Sequence, residues 1–233
     1  MTLVLLIGGG LVCLLLVLGV VAGIIVLVAV RESPTSAPQP AGPQVQGPWE
    51  QKPPRFYPSR AELFSFAEQS VRARRTRDVA PMFGNPQGDK VFRDIPPEGG
   101  VLIGFQAGLG KFIESPIVVS IRPIYLTKNG EKLGGWYGAI PPNPVTIKAR
   151  PDYVVSSATI RKGLLVDAVS LRFTKLGPDR LLMDDSYASE WVGGNGGGLE
   201  TIDNQGSIFV GIYGSLDGNN QLNGLGLVSA LPP

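Results

Sequence analysis

Apolar and polar positions are distributed unevenly along this 233-residue chain. From Met1 to Val30 no side chain is charged, and the run TLVLLIGGGLVCLLLVLGVVAGIIVLVAV ends abruptly at Arg31 and Glu32. About 20 consecutive apolar residues suffice for a helix to span a bilayer, so residues 1–30 are expected to form a transmembrane helix. A cleaved secretory signal fits less well. No basic stretch precedes the run, the run is too long, and no A-x-A cleavage site follows it. Residues 31–58 then carry eight prolines. Such a segment builds no core and acts as an extended linker. Ser59 and Glu62 have the spacing of a capping box. Leu63, Phe64, Phe66, Ala67 and Val71 follow at helical spacing, which predicts a short amphipathic helix from Arg60 to about Arg74, within a segment 59–77.

From about Asp89 the texture changes. Short runs of Val, Ile, Leu, Phe and Tyr alternate with Gly, Asn, Asp and Pro, and no helical period lasts beyond two turns. This predicts an all-β domain over residues 90–233: a sandwich, barrel or prism. Three stretches share a strand–Gly–loop–strand pattern. They are Val101–Gly108 with Val118–Tyr125, Ser157–Gly163 with Val166–Phe173, and Ile208–Gly214 with Leu222–Val228. Ile121, Val169 and Leu225 are taken as equivalent positions. One small sheet cannot bury its apolar face alone, whereas three packed around an axis can.

Composition narrows the chemistry. The chain has 21 Lys+Arg, 19 Asp+Glu, no histidine and one cysteine. Without histidine there is neither a Ser-His-Asp triad nor a His-based zinc site. The cysteine, Cys13, lies in the apolar run and offers no internal disulfide or thiol cluster. No metal and no cofactor are expected. A net charge of +2 is too small to make nucleic acid the main partner. Positive charge gathers instead between Lys52 and Asp78, with seven basic and three acidic residues. Two explanations stand side by side: contact with anionic lipid headgroups, and cations favoured at a helix C-terminus. Arg31 favours the side that follows it facing the cytoplasm, but a single charge leaves the orientation open. Gly19 and Gly23 form a GxxxG spacing that lets two membrane helices approach, hence a homodimer; glycine is also common in such helices generally.

Several stretches resemble the jacalin-like β-prism lectins. They are Gly163-Leu-Leu-Val-Asp167-Ala-Val-Ser-Leu-Arg-Phe173, Trp191-Val-Gly-Gly-Asn-Gly-Gly-Gly198 and Ile208-Phe-Val-Gly-Ile-Tyr-Gly214. The first repeat, ending in Tyr125-Leu-Thr127 with Trp136-Tyr-Gly138 beyond, is similar to that family's strand–Gly–strand element. The resemblance covers about residues 97–231, with the chain order rotated so that the GGNGG run lies in the middle. It implies a prism of three antiparallel sheets with pseudo-threefold symmetry. It also implies a sugar site, with Gly163 and Asp167 in a G-x-x-x-D loop and Gly193, Gly194, Asn195, Gly196 and Gly197 in a glycine-rich loop.

The chemistry of such a site is simple. An ionised carboxylate accepts charge-assisted hydrogen bonds from neighbouring hydroxyls, and glycine lets backbone N–H groups approach a ligand. Blander readings compete. Asp167 also suits a turn, and GGNGGG also reads as a flexible loop without the Lys-Ser/Thr ending of a phosphate loop. The other repeats depart from the motif, with Val119 and Asn223 at the position of Asp167.

Asp217-Gly-Asn-Asn-Gln221 reads as a turn, since it lacks the sixth-position glycine and the terminal Glu of a calcium loop. Asp184, Asp185 and Glu190 are the carboxylates a hydrolase would use, although they read more readily as a solvated turn before Ser186-Tyr187. Tyr187, Trp191, Trp136 and Tyr213 suit either core packing or stacking on sugar rings. The leading expectation is a single-pass membrane protein displaying a non-catalytic, carbohydrate-binding β domain on a stalk. A structural or protein-interaction module is the alternative, and a carboxylate-based hydrolase the third.

Overall fold

The computed structural model describes residues 59–84, 90–177, 180–203 and 205–231. The expected transmembrane helix, with Gly19 and Gly23, and the expected linker lie outside the described residues. Among the described residues, no helix is long and apolar enough to cross a membrane.

Helix α1 spans Arg60–Arg72. Ser59 caps it: its Oγ accepts a hydrogen bond from the Glu62 N–H at 3.2 Å and donates to Glu62 Oε2 at 2.7 Å. Leu63, Ala67 and Ser70 form its buried stripe. The strands follow in chain order as β1 (Thr76–Gly84), β2 (Lys90–Asp94), β3 (Val101–Phe112), β4 (Ser115–Thr127), β5 (Gly130–Leu133), β6 (Val145–Lys148) and β7 (Tyr153–Lys162). They continue as β8 (Val166–Leu176), β9 (Leu181–Ala188), β10 (Val192–Gly193), β11 (Gly198–Asp203), β12 (Phe209–Leu216) and β13 (Leu222–Ala230).

The strands make three antiparallel sheets with one topology. Sheet I has the order β5-β4-β3-β6, and sheet II the order β10-β8-β7-β11 with β9 also on β8. Sheet III has the order β1-β13-β12-β2. In each, a central hairpin takes a third strand beside its second and a fourth beside its first, which is a Greek key. Sheet III obtains its third and fourth strands from β1 and β2, far earlier in the chain. Each central hairpin carries two bulges. They fall at Leu102/Gly104 and Gly108/Leu109, at Val155/Ser157 and Arg161/Lys162, and at Phe209/Gly211 and Ser215/Leu216. Superposing the bulges makes Ile121, Val169 and Leu225 equivalent, because they pair with Ala107, Ile160 and Gly214.

Each sheet touches the other two through its central strands, β3 against β7, β12 against β3, and β13 against β8. Their inner faces share one core that includes Phe105, Ile121, Ile160, Phe173, Phe209 and Leu225. In sheet III an outward position is covered too, where the Tyr213 ring lies against Gly226. On the inner face the Phe92 ring, stacked on Tyr137 at 4.0 Å, lies against Gly214. Aromatic rings over cross-strand glycines are a known way to steady a glycine-rich sheet.

Two features differ from the sequence reading. The helix ends at Arg72 rather than near Arg74, and strand pairing starts at Thr76, so the expected boundary at residue 90 falls inside sheet III. Strand β1 escaped notice because Arg77-Asp78 and Pro81 break its apolar pattern. The register shift between Val79 and Phe83 accommodates the proline as a bulge. The helix is also part of the prism. Leu63 and Ala67 belong to the common core, and Ser70 Oγ donates to Leu231 O at 3.1 Å.

On β2 a charged residue takes a position that the other sheets fill with isoleucine. Asp94 pairs with Ile212, at the place filled by Ile147 in sheet I and Ile202 in sheet II. It ties β2 to sheet I. Tyr125 Oη donates to Asp94 O at 2.9 Å and Oδ1 at 3.0 Å, while Tyr137 Oη and the Gly135 N–H donate to Oδ2 at 2.9 and 2.8 Å. Burial first, and the Asp94 carboxylate second, hold the Tyr125 hydroxyl well above the usual tyrosine range.

If α1 is part of the core, truncating its buried anchor must weaken the whole prism. Leu63→Ala is expected to lower unfolding stability by about 2–4 kcal/mol in a single transition. Urea titration followed by tryptophan fluorescence and by far-ultraviolet circular dichroism checks this. Two separated transitions, helix first, would contradict it.

Candidate functional site

The β7–β8 hairpin turns at Gly163–Leu165, where the Gly163 N–H donates to Leu165 O at 3.1 Å. Asp167 stands on β8 just past this turn. Beside it, β10 pairs with β8 through Val192↔Val169 and Gly193↔Ala168. The chain must then reach β11, whose Gly198 pairs with Lys162 on the far side of β7. Residues 194–197 therefore cross over the hairpin tip and over Asp167. The crossing explains the glycines. A Cβ on Gly196 would lie 2.6 Å from Asp167 Oδ1, and one on Gly197 2.6 Å from Asp167 Oδ2. One on Gly163 would lie 3.0 Å from Oδ2. Gly193 and Gly197 also have φ of +119° and +71°, where other residues are strained.

The structure thus brings Gly163, Asp167, Gly196 and Gly197 into contact around one carboxylate. Gly193 and Gly194 anchor the crossing: Gly194 N–H donates to Asp167 O at 2.9 Å, and Gly194 packs against the backbone of Pro116 at the tip of the β3–β4 hairpin. Asn195 is exposed, and its carbonyl accepts from Arg161 Nη1 at 3.3 Å.

Arg161 was not singled out from the sequence. It pairs with Ala168 across the hairpin, so a register drawn from the turn would have placed it next to Asp167. Its guanidinium also lies 5.0 Å from the centre of the Trp191 ring, which is 42% exposed. Trp191 is thereby held as an accessible aromatic face beside the glycine loop. Of the other aromatic candidates, Tyr213 is buried, Tyr187 packs on Tyr153 and Phe173, and Trp136 is half-buried with the Arg122 guanidinium 5.9 Å from its ring centre.

Asp167 is electrostatically unsettled. Its Oδ2 is buried, and no protein group donates to it. Burial pushes the carboxyl above its ordinary value of 3.8, and the positive charge of Arg161 offsets part of that rise. A buried acceptor without a donor is costly and uncommon.

The equivalent positions lack this arrangement. In sheet I, Val119 replaces the carboxylate, and the crossing from Gly138 runs through Ile140, Pro141, Pro142 and Pro144. In sheet III, Asn223 is buried and its Oδ1 accepts from Ser215 Oγ at 2.6 Å. The Asp184/Asp185/Glu190 group does not assemble into an acid–base pair. Asp184 and Asp185 are successive residues of β9 and point to opposite faces. Asp185 is engaged by Tyr153 Oη at 2.6 Å and Lys175 Nζ at 3.1 Å, which hold it below the usual carboxylate range. Asp217 Oδ1 accepts from the N–H groups of Asn219 and Gln221, as a turn residue does. Among the described residues, no cluster of three His, Cys, Asp or Glu could hold a metal ion.

Comparison with known proteins is informative through structure only. No family model and no curated protein sequence matches the chain. Among solved structures, an artocarpin–mannopentose complex aligns with a TM-score of 0.50 and 17% identity, over 67% of this chain and 99% of that one. The fold is a jacalin-like β-prism. Single-chain recombinant jacalin aligns at 0.49 and 16%, over 66% and 93% of the two chains. Calystegia sepium agglutinin aligns at 0.48 and 12%, over 66% and 96%.

The raised Asp167 pKa has a sign that can be tested. The folded β-prism binds this proton more tightly than the unfolded chain does. The associated stability is present below the ordinary aspartate range and is lost as pH rises through the higher folded value. Asp167→Asn should therefore flatten that part of the stability–pH curve. Urea midpoints measured from pH 3 to 7 in about half-unit steps would reveal it. An unchanged curve would mean that Asp167 titrates normally.

Proposed function

We propose that this chain is a membrane-anchored, non-catalytic binding module whose pocket around Asp167 takes the hydroxyl groups of a carbohydrate. One observation carries the reading. A partly desolvated carboxylate lies beneath a loop of glycines that approach it as closely as any residue can. Such a carboxylate gains more from a hydroxyl donor than one already satisfied in water. Trp191 offers an apolar face for a sugar ring. Binding of this kind needs no metal and no proton transfer. Artocarpin, whose structure aligns with this chain, was solved with mannopentose, so mannose oligosaccharides are the first ligands to try. Anchoring rests on the uncharged run of residues 1–30, with the β-prism carried on the linker 31–58.

The test uses the full chain in detergent micelles on a glycan array that includes mannose oligosaccharides, followed by calorimetry on any hit. Asp167→Ala should weaken binding by at least roughly tenfold, the worth of one or two charge-assisted hydrogen bonds. Wild-type affinity should fall as pH drops through the raised Asp167 pKa, because only the ionised form accepts both bonds. Equal, empty arrays for wild type and variant would remove the sugar reading and leave a structural or protein-interaction module.

A further inference from the structure

Asp167 and the glycine loop over it lie at the hairpin-tip end of the β-prism, and α1 closes the other end. Leu231 N–H donates to Arg75 O at 2.9 Å, and Thr76 pairs with Ala230, so the segment after α1 sits where β13 finishes. Arg60 meets Asp152 before β7, and Lys128 meets Glu68 after β4. This base is rich in charge, but most of its cations are neutralised. Arg60, Lys128, Lys132, Lys148 and Lys175 each pair with a carboxylate. One corner differs. Arg72 shares Glu68 with Lys128, and among the described residues no carboxylate pairs with Arg74, Arg75 or Arg77.

The backbone at this corner is built to present arginine. Arg75 N–H donates to Ser70 O at 2.8 Å, and Arg74 N–H to Val71 O at 3.1 Å. That pair of bonds is a Schellman motif, whose left-handed residue is usually glycine. Here it is Arg74, with φ of +54°. A residue with a side chain is locally strained in that conformation. Arg74 lines a cleft of about 320 Å³ with Val71, Thr76, Ile95 and Arg93, the last paired with Asp78 at 3.0 Å, so that Arg74 is the cleft's one cation without a carboxylate partner among the described residues. Arg75 Nε is buried without an acceptor. The helix dipole accounts for a cation in the last turn, as at Arg72, but it fades within one turn, and Arg75 and Arg77 lie beyond the helix.

We propose that the Arg72–Arg77 corner is a docking surface for an anionic phospholipid bilayer, with the cleft beside Arg74 seating a headgroup phosphate. The described chain begins at this base, with Ser59 capping α1, and is preceded by 58 residues that contain the uncharged apolar run. The docking surface is independent of the sugar reading, because it lies at the opposite end of the prism. Its consequence is orientation: with the base against the bilayer, the Asp167 loops face away from it.

The experiment uses the full chain with vesicles of phosphatidylcholine alone or mixed with phosphatidylserine. Amide hydrogen exchange is followed over residues 70–79. Exchange should slow only with the anionic vesicles, and the protection should vanish in about 1 M NaCl, where the Debye length falls to about 3 Å. Arg74→Gly removes the charge and relieves the left-handed strain together. It should therefore leave the thermal midpoint unchanged or higher, yet lower the protection roughly fivefold. Arg77→Glu should act in the same direction. Equal exchange with both vesicle types would overturn the proposal, as would full protection in Arg74→Gly. Protection by inorganic phosphate without vesicles would also overturn it, pointing to a soluble phosphate instead.

Discussion

The fold depends on three glycine-rich hairpins hiding their apolar faces from water in one another. A four-stranded sheet of this size has no partner of its own, and the stabilisation comes only when the third sheet closes the core. That requirement explains the shared details. All three hairpins bulge at matching places, so their twist and curvature agree and their inner residues interleave around one axis. It also explains why β1 and β2 must return to sheet III and why α1 is needed. Without them the ends of the common core, around Leu63, Ala67 and Leu227, would meet water.

Symmetry of the scaffold does not bring symmetry of chemistry. The same Greek-key crossing passes over the hairpin tip in sheets I and II. In sheet I it is rich in proline and passes over valine; in sheet II it is almost all glycine and passes over a carboxylate. Contact closer than a Cβ allows is what leaves Asp167 desolvated, with its Oδ2 buried and no donor to it. Asn223 in sheet III has already spent its acceptor on Ser215. Of the three equivalent positions, only that in sheet II thus holds a desolvated carboxylate.

Much of this was legible in the sequence. The three hairpins were readable because each is a long apolar run broken by turn residues, and the assignment of Val119, Asp167 and Asn223 to one position agrees with the observed registers. The helix start was readable because a capping box is a local signal. What escaped depended on distant contacts. Strand β1 looks like a charged loop until β13 pairs with it. Asp94 occupies a place that the repeat fills with isoleucine, and donors distant in sequence, the Tyr125 and Tyr137 hydroxyls and the Gly135 N–H, satisfy it there. Arg161 matters through its position across the hairpin rather than through any motif. The helix stop was misjudged because Arg74 stands where glycine would have marked it.

The account turns on Asp167 being an ionisable group that the protein alone leaves short of donors. Site-resolved carbon NMR of its carboxyl, titrated in the full chain with and without a mannose oligosaccharide, reads that directly. The account predicts a midpoint above 3.8 in the free chain and a drop when the sugar is bound. A midpoint at or below 3.8 that the sugar does not move would contradict it.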